Sequence, residues 1–86
     1  MDEVLIRSFR ADWIGSGKSS KTADQYVWAL RRIAAEGIPL PPDLDLVTAR
    51  EWLVERQRNV KLSTAAFEAR ALKVFSAFTA IEFGDD

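Results

Sequence analysis

Ser19-Ser20-Lys21-Thr22-Ala23-Asp24-Gln25-Tyr26-Val27-Trp28-Ala29-Leu30-Arg31-Arg32-Ile33 reads as one amphipathic helix with its start marked. Ser19 has the small hydroxyl side chain that caps a free helix N-terminus. Tyr26, Leu30 and Ile33 then recur at the spacing that lines one helical face, which makes them core residues. Gly37 is placed to take the left-handed conformation that ends a helix, so the element runs from about Ser20 to Glu36. Trp28 falls roughly 200° round the helix from Tyr26 and is expected off the core face.

The same grammar recurs near the other end of the chain. Leu62-Ser63-Thr64 opens a helix of about Ser63 to Glu82, whose apolar stripe is Phe67, Ala71, Val74, Phe75, Phe78 and Ile81. Beside it runs a second line of small and basic residues: Ser63, Ala66, Arg70, Lys73 and Ala77. Between the two, three prolines (Pro39, Pro41 and Pro42) predict an extended connector with Leu40, Leu44 and Leu46 tucked beneath it. A third helix is expected from Thr48, in a Thr48-Ala49-Arg50-Glu51 capping box stapled by Val47, to about Arg58-Asn59. Trp52 and Leu53 are its core residues. Upstream, Leu5, Phe9 and Trp13 mark a helix over about residues 2–15. Asp2 and Glu3 favour its start, and Gly15-Ser16-Gly17 its end. No segment alternates as a strand would. The expected fold is all-α, a compact domain of two crossed helical hairpins. Leu5, Phe9, Trp13, Tyr26, Leu30, Ile33, Trp52, Leu53, Phe67, Phe75 and Phe78 share its core.

Composition narrows the function. Eighty-six residues make one domain, and 48% apolar content supplies a core without staples. With no Cys and no His, disulfides, thiolate metal sites and imidazole catalysis are excluded. No apolar run is long enough to span a bilayer and no signal pattern opens the chain, which predicts a cytoplasmic domain with no membrane partner. The formal charge is −1, but it is unevenly spread. Residues 17–36 carry a net +2 and residues 50–73 a net +3, whereas the first sixteen residues, the 37–49 connector and the tail beyond Lys73 are all negative. Basic charge thus gathers in the two stretches that hold the hydroxyl-rich helix starts. Helix N-termini favour anions, so this layout suits a domain that grips a phosphate backbone.

Ser19-x-x-Thr22-x-x-x-Tyr26-x-x-x-Leu30-x-x-Ile33, the preceding Gly-rich turn, the Leu46-x-Thr48 start and the Leu62-Ser63 start with Arg70 and a Phe75/Phe78 finish occur here in one order. Together they resemble the N-terminal core-binding, SAM-like domain of tyrosine recombinases and phage integrases, over nearly the whole chain. The resemblance implies a DNA-clamping module whose second and fourth helices approach the major groove and adjacent phosphates. The implied partners are double-stranded DNA, a catalytic domain of the same chain and other recombinase protomers on DNA, in a bacterial or phage-infected cell. The candidate DNA-binding residues are Ser19, Ser20, Lys21, Thr22, Gln25, Ser63, Thr64, Ala66, Arg70 and Lys73. No cofactor and no metal are expected.

Family catalysis uses a nucleophilic Tyr with supporting Arg, Lys and His or Trp side chains in the other domain. The single Tyr here, Tyr26, faces the core, so this domain is expected to be non-catalytic. Residues 1–82 form the helical domain, and 83–86 read as the start of a linker. Glu51 and Glu55 lie one helical turn apart, but alternate with Arg50 and Arg56 as a solvated face would. The competing function is a helical protein–protein interaction module without DNA binding, using Trp28 and the acidic tail.

Overall fold

Three capped or glycine-bounded helices and a longer fourth set the architecture. A computed structural model of the chain describes residues 2–82, in the order α1 (Asp2–Gly15), α2 (Ser20–Ala35), α3 (Leu46–Asn59) and α4 (Leu62–Glu82), with no strand among them. The expected linker at 83–86 lies outside the described residues. Each consecutive pair is packed together, α1 on α2 and α3 on α4, and α4 also packs against α2 and α1. Helix α4 is thus the common partner of the other three.

The boundaries of α2 follow the expected chemistry. Ser19 Oγ accepts from the Thr22 backbone N–H at 3.4 Å, and Gly37 takes φ +85°, the left-handed value that an L side chain resists. Helix α3 does not follow it. Its cap is Asp45, whose carboxylate accepts from the Thr48 N–H at 2.7 Å and from the Thr48 hydroxyl at 3.0 Å. The helix therefore begins at Leu46, two residues before the expected start, and Thr48 lies inside its first turn. A carboxylate outcompetes a hydroxyl at this position because it bears the charge that the dipole favours. The earlier start turns Val47 and Leu46 into solvent, so neither the staple nor the burial of Leu46 forms, while Leu40 is buried and Leu44 half-buried.

The core is built on α4. Phe75 is fully buried, meets Phe9 of α1 edge-on with centroids 5.5 Å apart, and has Phe78 at 6.1 Å. Tyr26, Leu30 and Ile33 close the core from α2 and Trp52 from α3. Ile6, outside the expected stripe, is as deeply buried as Phe9. Leu5, Trp13, Leu53 and Phe67 pack at the margin, only partly covered. Ile81 departs from its expected role altogether, at 81% exposure. Helix α4, with 21 residues against 14 in α1 and 16 in α2, is the longest of the packed helices, and on its last turn Thr79 is buried while Ile81 faces solvent.

One polar contact is buried among these helices. Glu68 of α4, 1% exposed, accepts from Arg56 Nε at 2.7 Å and from Arg56 Nη2 at 2.9 Å in a two-pronged pair. The same guanidinium donates through Nη1 to Glu36 at 3.2 Å, at the C-cap of α2. Arg56 is therefore no part of a solvated face. Its hydrogen bonds to Glu68 hold the guanidinium more firmly protonated than usual.

Two stability experiments follow from these contacts. Arg56→Met alone leaves a buried carboxylate without its partner and should cost about 3–5 kcal/mol in urea denaturation. Adding Glu68→Leu should recover most of that loss, and a double variant no more stable than the single one would show that the pair is not truly desolvated. The Asp45 cap gives a pH dependence. Its hydrogen bonds from the Thr48 backbone N–H, then from the Thr48 hydroxyl, lower its pKa from 3.8. A depressed folded pKa means stability fully present above the ordinary value and lost as pH falls through the lower one. Asp45→Asn keeps a capping oxygen but cannot titrate, so its melting temperature should approach that of the parent below pH 3.8; parallel curves through that range would exclude the assignment.

Candidate nucleic-acid interface

The first two turns of α2 border a shallow hollow. Ser20, Lys21, Asp24, Gln25 and Trp28 line it, and Phe67 of α4 closes its far side. Phe67 is held there by stacking on Tyr26 at 5.2 Å. Lys21 and Gln25 are exposed one turn apart and present a cation and an amide together. Asp24 would oppose an anion in this hollow, but Arg10 of α1 donates to its carboxylate at 2.7 Å. The hydroxyl oxygen of Ser19 is engaged by the Thr22 amide, and Thr22 itself is half-buried. Of the four candidate residues at this helix start, Ser20 and Lys21 are the ones fully presented.

On α4 the second line stands clear of the core as its spacing requires. Ser63, Ala66, Arg70, Lys73 and Ala77 are all exposed, while Thr64 is half-buried. The helix opens with the Lys61 carbonyl accepting from the Ala65 N–H at 3.0 Å. Arg70 and Lys73 line a second shallow groove together with Trp13, Val74 and Ala77, and with one residue absent from the candidate set, Lys18. This lysine sits in the glycine turn between α1 and α2, with Nζ 4.3 Å from the centroid of the Trp13 ring. Its signal was present in the sequence, a lysine directly before a capping serine, but turn residues carry no helical phase to place them. Ser63, Thr64 and Ala66 border neither hollow. Phe67, one turn further along, is what joins the start of α4 to the start of α2.

Charge pairing sharpens the picture. Arg10, Arg31, Arg56 and Arg58 each hold a carboxylate within 4 Å. Lys18, Lys21, Arg70 and Lys73 have no ion pair among the described residues. Four cations, two hydroxyls and an amide can hold phosphate oxygens and base edges. Tyr26 is 3% exposed, and among the described residues no group of carboxylates is placed to hold a metal ion. No described helix is long and apolar enough to cross a membrane. No known family model, curated protein or solved structure matches the chain.

The Arg10–Asp24 pair can be tested by itself. Arg10→Ala and Arg7→Ala each remove one positive charge from α1, but only the first leaves Asp24 unopposed beside Lys21. Arg10→Ala should therefore elute from a heparin column at lower salt than Arg7→Ala. Equal elution would show that pairing of Asp24 does not shape this face.

Proposed function

We propose that this chain is a DNA-binding domain of the kind that tyrosine recombinases and phage integrases use to clamp their core sites. In this reading it grips duplex DNA while a separate catalytic domain performs strand exchange. The observation that carries the reading is that Lys18, Arg70 and Lys73 line one groove and Lys21 a second hollow at the start of α2, none of them ion-paired among the described residues. The packing of α1 with α2 and of α3 with α4 supports the two-hairpin, SAM-like arrangement.

The roles follow from chemistry. Lys21, Arg70, Lys73 and Lys18 meet phosphates, as sequence-independent cations do. Gln25 is the candidate for a base edge, since its amide can both donate and accept. Ser20, and Ser63, Thr64 and Ala66 at the start of α4, allow close approach of the sugar–phosphate chain to free backbone N–H groups. Strand cleavage is assigned to the other domain, because Tyr26 is locked in the core. Other recombinase protomers and a cytoplasmic setting belong to the same proposal. The rival reading, a helical interaction module without DNA binding, draws on Trp28, 59% exposed with the Arg32 guanidinium 5.2 Å from its ring centroid.

Fluorescence anisotropy with a labelled duplex separates the two. The domain should bind at roughly micromolar or weaker affinity and lose affinity steeply as salt rises, because phosphate contacts release counterions. Lys21→Ala, Arg70→Ala and Lys73→Ala should each flatten the salt slope by about one unit. Binding that ignores salt, or amide shifts confined to α1 with α2 and α4 unmoved, would transfer the assignment to the interaction module.

A further inference from the structure

The seam between α3 and α4 is underfilled. Ala49 and Leu53 of α3 face Ala69, Leu72 and Ser76 of α4 across it, each set at helical i, i+3, i+4 or i+7 spacing. Three of these five side chains are small, so the helices meet without closing over one another. A groove of about 360 Å³ remains, within the ~300–1,000 Å³ range of cavities that hold ligands. Trp52 forms part of its wall, nine-tenths buried and with no hydrogen-bond partner for its indole N–H among the described residues. At one end Leu46 stands 64% exposed, an apolar residue continuous with the groove.

The rim is net positive, two cations against one carboxylate. Arg50 on α3 and Lys73 on α4 flank the groove, both exposed and without an ion pair among the described residues. Asp45 also borders it, but its carboxylate is engaged by the Thr48 amide and hydroxyl. An apolar floor between two free cations does not suit a nucleic acid backbone, which offers charge without apolar side chains. It suits an amphipathic segment with bulky apolar residues on one face and carboxylates beside them.

We propose that the α3–α4 seam is a docking groove for an acidic amphipathic segment of a protein partner. The apolar face seats against Leu53 and Leu72, and its flanking carboxylates meet Arg50 and Lys73. Lys73 is shared with the DNA reading, but Lys18, Lys21, Gln25 and Arg70 take no part in this site, so the two readings can fail separately.

The test uses a synthetic peptide with leucine at helical i, i+3, i+4 and i+7 positions and glutamate elsewhere, titrated into the isotope-labelled domain. Saturable shifts should appear at the Trp52 indole N–H and at the Ala49, Leu53 and Leu72 amides. Ala49→Leu and Ser76→Leu, which fill the groove, should each weaken binding at least about tenfold, with the melting temperature unchanged or raised. Arg50→Glu should weaken it, and a peptide with lysine in place of glutamate should bind at least about tenfold more weakly. Four results would overturn the proposal: no saturable binding, equal affinity for the lysine peptide, shifts centred on Lys18 and Lys21, or binding indifferent to both filling variants. Shifts at Ala49, Leu53 and the Trp52 indole N–H produced by duplex DNA, beyond those around Lys73, or by raising the concentration of the domain alone, would assign the seam to nucleic acid or to a second copy and equally exclude an acidic partner segment.

Discussion

The forked contact between Arg56 and Glu68 is the constraint on which the relative placement of the helices rests. Helix α3 has little apolar grip of its own. Trp52 is its one buried residue, while Val47 and Val54 stand in solvent. Apolar contacts of that kind are non-directional and allow a helix to slide or roll at small cost. A planar guanidinium held at 2.7 and 2.9 Å by both oxygens of a buried carboxylate does not allow it. Because Arg56 also reaches Glu36, the end of the first helical pair is fastened to the second. The desolvation cost of such a pair is large, so its contribution lies in fixing one arrangement more than in raising stability. The α3–α4 seam and the position of Arg70 and Lys73 relative to α2 both inherit that arrangement.

Much of the fold was legible because helical phase is written in side-chain type. Tyr26, Leu30 and Ile33 are buried as their spacing requires, Trp28 is exposed, and Ser19 and Gly37 bound α2. The misreadings have separate physical causes. At α3 two capping residues compete three positions apart, and the charged one prevails. Ile81 fits the stripe of α4 by phase, yet burial also needs a neighbour, which sequence spacing does not report. Glu68 is the most instructive case. It lies seven residues before Phe75, on the same buried face, so its phase marked it as internal. Its charge argued the other way, and only a partner four residues inside the end of α3, invisible in linear sequence, reconciles the two.

The candidate interface divides along the same line. Lys21, Gln25, Arg70 and Lys73 were legible because each sits on a regular helix whose buried face identifies the outward one. Lys18 was not, since its place beside α4 depends on how the glycine turn folds back, with Gly17 at φ +87°. The hydroxyls were legible as residues but not as free groups: Ser19 serves its own helix, and Thr22 and Thr64 are partly covered. Whether Asp24 weakens the α2 hollow is likewise decided by Arg10, fourteen residues away on another helix.

Burial of Glu68 also changes what the molecule shows to its surroundings. Between Leu62 and Ile81 it is the sole acidic residue, and it is turned inward and matched by Arg56. From Leu62 to Ile81 the outer surface of that helix consequently carries Arg70 and Lys73 with no acidic residue among them. A formal total of −1 treats every charge as equally visible, but field lines from a closed internal pair largely cancel within the protein. An approaching polyanion therefore meets a locally positive helix on a nominally acidic molecule. Isoelectric behaviour and local potential are decoupled here by a single inward-facing carboxylate.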